Sequence, residues 1–118
     1  MALKTYRDLE VWKVSMDLVD SVYSLTEKLP SHQRFSICSQ IERAALSIPL
    51  NIAEGYGRLH KGDYLHHLSF SQGSQREVET LLIVIGRRQY VTKEEIKPIW
   101  ELTQRVGQML TKLIQSLK

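Results

Sequence analysis

The side chains of this sequence that could bind a charged ligand are arginines and lysines near the ends of its predicted helices. Guanidinium and ammonium groups neutralise phosphates, so their clustering favours contact with the backbone of a nucleic acid. The formal net charge of +3 permits such binding without requiring it. Five residues are predicted to contact nucleic acid: Arg34, Arg58, Lys61, Arg87 and Arg88. The alternative, strongest for Arg87 and Arg88, is that cations at helix C-termini only complement the helix dipole.

No arrangement for catalysis accompanies these cations. Cys38 is the single cysteine, so it cannot form an intramolecular disulfide, and no base that would activate its thiol can be recognised. Asp63 and His66 have the carboxylate-x-x-His spacing of a helical metal ligand pair. A di-iron bundle needs that motif on two helices, and the sequence has no second copy. We therefore predict a protein that is not an enzyme and that uses no cofactor and no metal.

The stretch of residues 39–55 carries a polar stripe whose role has two readings. At 3.6 residues per turn, the stripe consists of Gln40, Arg43, Ser47, Asn51 and Glu54. It could be a groove for a ligand or partner. It could instead be a hydrogen-bonded network at a helix or subunit interface that satisfies carbonyls freed by Pro49, where a kink is also expected. The sequence favours the structural reading.

Four helical segments must position these residues. Apolar periodicity predicts helices over about residues 8–28, 35–54, 63–88 and 93–117, in a single domain of residues 1–118. Short connections force successive helices to lie antiparallel, so the predicted fold class is all-α, an antiparallel up-down-up-down four-helix bundle. In that arrangement Arg34, Arg87 and Arg88 share one end of the bundle, and Arg58 and Lys61 share the other.

Local signals mark where the helices begin and where they pack. Asp8 is the predicted N-cap of the first helix, and Thr92 with Glu95 is a predicted capping box for the fourth. Pro98 leaves a second start open for that helix, because proline favours the first helical turn. Gly73 is expected to allow close approach of small residues of the second helix, and the alternative is a weak, exposed turn.

The apolar faces of the first, second and fourth helices are wider than a bundle core requires. On the fourth helix the apolar stripe covers about half of the helical wheel. Broad apolar faces favour burial between subunits, so we expect a homo-oligomer. The residues assigned to assembly or structure are Arg43, Leu46, Ser47, Leu50, Asn51, Glu54, Trp100 and Ile114.

Composition indicates an ordinary globular domain, with 42% hydrophobic and 25% charged residues. Residues 1–6 lack the apolar segment of a secretory signal. The longest apolar run, residues 81–85, is far too short to span a bilayer. We expect a cytoplasmic protein with no membrane partner.

Three motifs give the chain its resemblance to a known family. They are Tyr6-Arg7-Asp8-Leu9-x-Val11-Trp12, the run of residues 40–55, and Gly73-Ser74-x-x-Glu77-x-Glu79-Thr80. Together they closely resemble the bacterial four-helix-bundle family of ribosomal-protein-like intervening-sequence proteins, which are encoded inside large-subunit ribosomal RNA genes. The chain is also similar to the accessory variability proteins of diversity-generating retroelements. It departs from the pattern at residues 86–90, which are more basic than the family suggests.

The resemblance implies an antiparallel four-helix bundle that assembles as a ring-like homopentamer. The similarity to accessory variability proteins implies binding to RNA or DNA and to a partner reverse transcriptase. We expect a nucleic-acid-binding accessory or scaffold protein of a ribonucleoprotein or reverse-transcriptase assembly. The alternative is a protein–protein interaction scaffold that binds no nucleic acid.

Overall fold

The computed structural model describes residues 4–118 of the 118-residue chain. Its four long helices are α1 (Glu10–Thr26), α2 (Ser39–Tyr56), α3 (Lys61–Arg87) and α4 (Lys93–Leu117). Residues 4–118 form no strand, so the prediction of an all-helical protein with four helices is confirmed. The expectation that residues 1–6 carry no secretory signal falls partly on residues 1–3, which lie outside the described residues.

The start of α1 differs from the prediction, because Leu9 and not Asp8 occupies its N-cap position. Asp8 instead ends a short 3-10 turn, Tyr6–Asp8, that precedes the helix. Its carboxylate accepts hydrogen bonds from the backbone N–H groups of Lys4 and Thr5, at 2.9 and 3.2 Å. These two bonds hold the pKa of Asp8 below its ordinary value. The prediction that Asp8 is the N-cap of the first helix is therefore wrong, since Asp8 forms a capping box with Thr5 in the turn that precedes α1.

The second helix begins later than predicted, and the fourth begins at its predicted capping box. The second helix is predicted to begin at about residue 35, but the segment Arg34–Cys38 is a π-helical turn, and α2 begins only at Ser39. α2 then continues through Pro49, and the kink there stays a prediction. α4 begins at Lys93 behind the predicted Thr92–Glu95 capping box, so the alternative start at Pro98 is wrong.

One hydrophobic core contains buried side chains from all four helices. Its largest fully buried members are Leu18, Ile41, Ile48, Ile52, Leu68, Leu82, Ile85 and Leu110. Burying a side chain of this size stabilises the fold by about 1.5–3 kcal/mol. α1 contacts α2 and α4, and α3 also contacts α2 and α4. No helix among residues 4–118 combines the length and apolar character needed to cross a membrane.

The close approach of α2 to α3 occurs at serines and at Gly55, not at Gly73. A Cβ on Gly73 would meet nothing within 4 Å, so the expectation of close packing there is wrong and the exposed alternative holds. A Cβ on Gly55 would lie 2.7 Å from the Cβ of His67. The Ser71 hydroxyl donates to the backbone oxygen of Ile48 at 3.0 Å. Short hydroxyl side chains permit this approach because they fill little space and satisfy a buried carbonyl.

Candidate nucleic-acid interface

The five predicted phosphate-binding residues are all exposed, and the structure divides them into two groups. Arg34 begins the π turn before α2, and Arg87 with Arg88 ends α3. The residues that flank these two segments meet, because Gln33 Nε2 donates to the hydroxyl of Tyr90 at 3.2 Å. The remaining two, Arg58 and Lys61, lie in and just after the connection between α2 and α3. Three of the five cations therefore form one group, which we call the three-arginine end.

The two groups differ at Arg58, since Lys61, like the three arginines, is in no ion pair among residues 4–118. Arg58 Nη2 lies 3.2 Å from the Glu54 carboxylate, one turn earlier on α2, so its charge is partly neutralised. In the part of the chain that the structure describes, no ion pair includes Arg34, Arg87 or Arg88. Exposed and unpaired guanidinium groups are the form in which arginine binds phosphate most readily.

The two arginines at the end of α3 are held by a tight helix terminus. Gln89 has a φ of 58°, in the left-handed region. Its N–H donates to the Gly86 carbonyl at 3.0 Å, and the Tyr90 N–H donates to the Ile85 carbonyl at 3.4 Å. This pair of bonds is a Schellman motif. Glycine usually fills the left-handed position, so a glutamine there gave no signal in the sequence.

Tyr90 has a structural role in the same region. It is half-buried and packs against the hydrophobic core, and its ring meets His32 edge to face at 6.4 Å. Its contacts with His32 and Gln33 bring the connection after α1 to the turn after α3. Tyr90 thus helps to assemble the three-arginine end.

A groove of about 550 Å³ opens beside this end, between the end of α1 and the beginning of α2. We call it the α1–α2 groove, and its lining includes Tyr23, Thr26, Glu27, Arg34, Phe35, Cys38 and Glu42. The Thr26 hydroxyl donates to Glu42 Oε2 at 2.6 Å. The Phe35 side chain is 91% exposed. The sequence did not indicate this groove, because one wall comes from α1 and the other from the π turn and α2.

The thiol of Cys38 is not equipped to act as a nucleophile. It is buried, and its Sγ donates to the Thr26 carbonyl at 3.8 Å. Burial raises the pKa of the thiol, and the Glu42 carboxylate raises it further while Arg34 opposes the shift. A thiol with a raised pKa remains protonated at neutral pH, and the thiolate is the reactive form. Cys38 therefore contributes packing to the floor of the groove.

The candidate metal ligands do not form a cluster. His66 lies against Phe70, with the ring centroids 4.6 Å apart. Within residues 4–118, the structure brings together no three His, Cys, Asp or Glu side chains that could hold a metal ion.

The polar stripe of α2 forms a hydrogen-bonded network with α3. Asn51 Nδ2 donates to the backbone oxygen and the hydroxyl of Ser47, at 3.0 and 3.1 Å. Asn51 Oδ1 lies 3.0 Å from His67 Nδ1, and the Ser74 hydroxyl donates to the Ser47 hydroxyl at 2.9 Å. Elsewhere on the stripe, Arg43 donates to Ser39 at 3.3 Å. His67 and Ser74 were not anticipated, because only the packed helices bring them opposite α2.

The residues predicted to mediate assembly lie in two different environments. Leu46 and Leu50 are 37% and 62% exposed on α2. Trp100 and Ile114 are half-buried on α4 and pack against the core of their own chain. Further large apolar side chains are also exposed: Met16, Tyr23, Phe35, Leu59, Phe70 and Ile83.

These features define a class: an all-helical protein of four helices in which Arg34, Arg87 and Arg88 are exposed and form no ion pair among residues 4–118. A sequence model described as "23S rRNA-intervening sequence protein" matches residues 7–112, and the chain belongs to that family. No curated protein sequence is significantly similar to the chain. The family part of the predicted resemblance is confirmed, and the relation to accessory variability proteins stays a prediction.

A solved structure supports the fold assignment. The chain is similar to the crystal structure of a protein of unknown function from the S23 ribosomal protein family of Bacteroides thetaiotaomicron. The TM-score is 0.82 and the sequence identity 25%, over 88% of this chain and 97% of that chain. Nearly the whole of that protein therefore has the same helical arrangement.

Proposed function

We propose that this chain is a non-enzymatic RNA-binding protein, an accessory or scaffold component of a cytoplasmic ribonucleoprotein. The observation that carries the proposal is the three-arginine end, where Arg34, Arg87 and Arg88 are exposed and without ion pairs among residues 4–118. Phosphate backbones bind such groups through charge and counterion release. The family description, which refers to 23S ribosomal RNA, favours RNA over DNA as the ligand.

The proposal includes an antiparallel up-down-up-down arrangement of the helices. Its support is the order of the cross-helix contacts: Ser47 meets Ser74, whereas Asn51, later on α2, meets His67, earlier on α3. In such a bundle the π turn and the end of α3 share one end. The arrangement would thus explain why the cations from two helices lie together.

The proposal also includes a homo-oligomeric ring, a pentamer according to the family resemblance. Its support is the exposure of Leu46 and Leu50, apolar side chains that a neighbouring copy would cover. A ring repeats each basic end around one axis. The phosphate contacts of separate copies would then add along a single RNA.

Binding to RNA across a salt series tests the proposed function. Wild-type protein should bind single-stranded RNA at low salt, with an affinity that falls steeply as salt rises. Charge reversal by Arg87→Glu with Arg88→Glu should weaken binding strongly. The matched control is Lys13→Glu with Arg76→Glu, which changes the net charge equally at exposed positions on α1 and α3. Absence of binding at low salt, or an equal loss in the control, would show the proposal to be wrong.

Light scattering at micromolar concentration tests the ring. Wild-type protein should be larger than a monomer, and Leu46→Asp with Leu50→Asp should dissociate it. A monomeric wild type refutes the ring. An oligomer that survives the double substitution places the subunit contact elsewhere.

A second candidate function is a protein–protein interaction scaffold without a nucleic-acid ligand. The observation that favours it is the set of exposed apolar side chains on α2 and α3, of which Leu50, Phe70 and Ile83 are each at least half exposed. A reverse transcriptase is the partner that the resemblance to accessory variability proteins implies. Association with that enzyme would favour the nucleic-acid-binding accessory function, whereas the scaffold reading predicts co-purification with another protein and no salt-dependent binding to RNA.

A further inference from the structure

The α1–α2 groove combines three kinds of side chain that a purely electrostatic phosphate site does not need. Phe35 is an almost fully exposed aromatic residue, Arg34 beside it is a cation without an ion pair within residues 4–118, and Glu42 is a half-buried carboxylate. The three residues line one groove of about 550 Å³. This volume falls within the range of small-ligand sites.

The π turn Arg34–Cys38 produces this combination. Its last two residues, Ile37 and Cys38, turn toward the core, whereas Arg34 and Phe35 face solvent. π-helical turns are rare and recur at functional sites. Leaving a phenylalanine 91% exposed gives no packing benefit to the chain. The exposed ring is therefore available to a ligand.

We propose that the α1–α2 groove binds one unpaired nucleotide of a single-stranded RNA. The base stacks on Phe35, Arg34 binds the adjacent phosphate, and Glu42 accepts hydrogen bonds from the edge of the base. This proposal rests on the proposed function and extends it, because it gives the three-arginine end a means to distinguish unpaired from paired RNA.

Stacking on aromatic side chains is the usual way in which proteins hold unpaired bases, since every base has a π face. A double helix keeps its bases stacked on one another and cannot offer one to Phe35. Arg34 adjoins Phe35 in the chain, so the phosphate of a stacked nucleotide can reach its guanidinium. These two residues predict preference for single-stranded RNA.

The carboxylate of Glu42 determines how the nucleotide enters. Its Oε2 accepts from the Thr26 hydroxyl at 2.6 Å, which fixes the group in the groove wall. A carboxylate repels phosphate, so the base points inward and the phosphate remains outside at Arg34. A carboxylate accepts but does not donate, and guanine presents two adjacent N–H donors on its Watson–Crick edge. The groove should therefore prefer guanine to adenine or uracil.

The test measures binding of short oligouridylates that carry one central guanine, inosine, adenine or uracil. Wild-type protein should bind the guanine form best, with inosine weaker because it lacks the exocyclic amino group. Phe35→Ala should weaken binding by about tenfold or more, and Phe35→Tyr should retain it. Glu42→Gln should remove the preference for guanine over adenine. Leu59→Ala is the matched control, since Leu59 is 96% exposed in the other connection.

The outcomes separate this proposal from the proposed function. One outcome is that Phe35→Ala binds every oligonucleotide with the affinity of the wild type, whereas Arg87→Glu with Arg88→Glu binds RNA more weakly. The nucleotide site is then wrong, and the RNA-binding function stands. If the wild type binds no RNA, both fail. If Phe35→Ala lowers the oligomer mass but leaves RNA affinity unchanged, Phe35 is a subunit contact and the nucleotide site is overturned.

Discussion

Replacing Gly73 by alanine should stabilise the protein. Gly73 lies far from both ends of α3 (Lys61–Arg87), and a Cβ at this position would meet nothing within 4 Å. Glycine in a helix interior is about 1 kcal/mol less favourable than alanine, because more backbone entropy is lost on folding. With no steric cost to offset that gain, Gly73→Ala should raise the free energy of unfolding by about 1 kcal/mol. The corresponding rise in Tm is roughly 4 °C.

The same substitution at Gly55 should destabilise the protein. A Cβ there would lie 2.7 Å from the Cβ of His67 and 3.0 Å from Cδ1 of Tyr64. Carbon atoms pack at about 3.5–4.0 Å, and the Cβ of His67 cannot rotate away, so α2 and α3 must separate. Overpacking of this kind costs about 1–3 kcal/mol. Gly55→Ala should therefore lower the free energy of unfolding by about 1–2 kcal/mol.

Urea unfolding followed by circular dichroism measures both changes. The three proteins must be compared at one concentration, because association contributes to apparent stability. The two variants should differ by about 2–3 kcal/mol although the chemical change is identical. The reasoning is refuted if Gly73→Ala is less stable than the wild type. If that loss accompanies dissociation of an oligomer, Gly73 lies in a subunit contact.

Two further predictions concern helix termini. Gln89→Gly should raise the free energy of unfolding, measured by urea unfolding, by about 1 kcal/mol, because a φ of 58° is strained for glutamine. RNA affinity should not change. Glu95 accepts from the Thr92 N–H at 2.8 Å and lies 3.0 Å from Lys28, and these contacts lower its pKa below the ordinary 4.5. The stabilisation they give is present above that value and is lost as the pH falls through the depressed pKa. Glu95→Gln should therefore flatten the dependence of Tm on pH between about 2 and 6.

The fold could be predicted because apolar residues recur at helical spacing in each of the four segments. The four predicted spans overlap the four observed helices, and the Thr92–Glu95 capping box marks the start of α4. The misses fall where backbone geometry is irregular. Asp8 caps a 3-10 turn, and the segment Arg34–Cys38 winds as a π turn. Nothing in a 3.6-residue period distinguishes these turns from the first turn of an α-helix.

The candidate site could be predicted only in part. The exposure of Arg34, Arg87 and Arg88 follows from their charge and their places near helix ends. Their freedom from ion pairs depends on which acids lie opposite them, and only the packed helices decide that. The groove beside Phe35 was missed for the same reason, because its two walls come from different helices.

The polar network between α2 and α3 links the fold to the candidate site. The bonds from Ser74 to Ser47 and from Ser71 to the Ile48 carbonyl fix the axial position of α2 against α3. A shift by one turn would leave buried hydroxyl groups unsatisfied, which costs about 1–3 kcal/mol for each group. The π turn that carries Arg34 runs directly into α2, and Arg87 ends α3. In the proposed function the polar network would therefore act by position, since it holds α2, which follows Arg34, against α3, which carries Arg87.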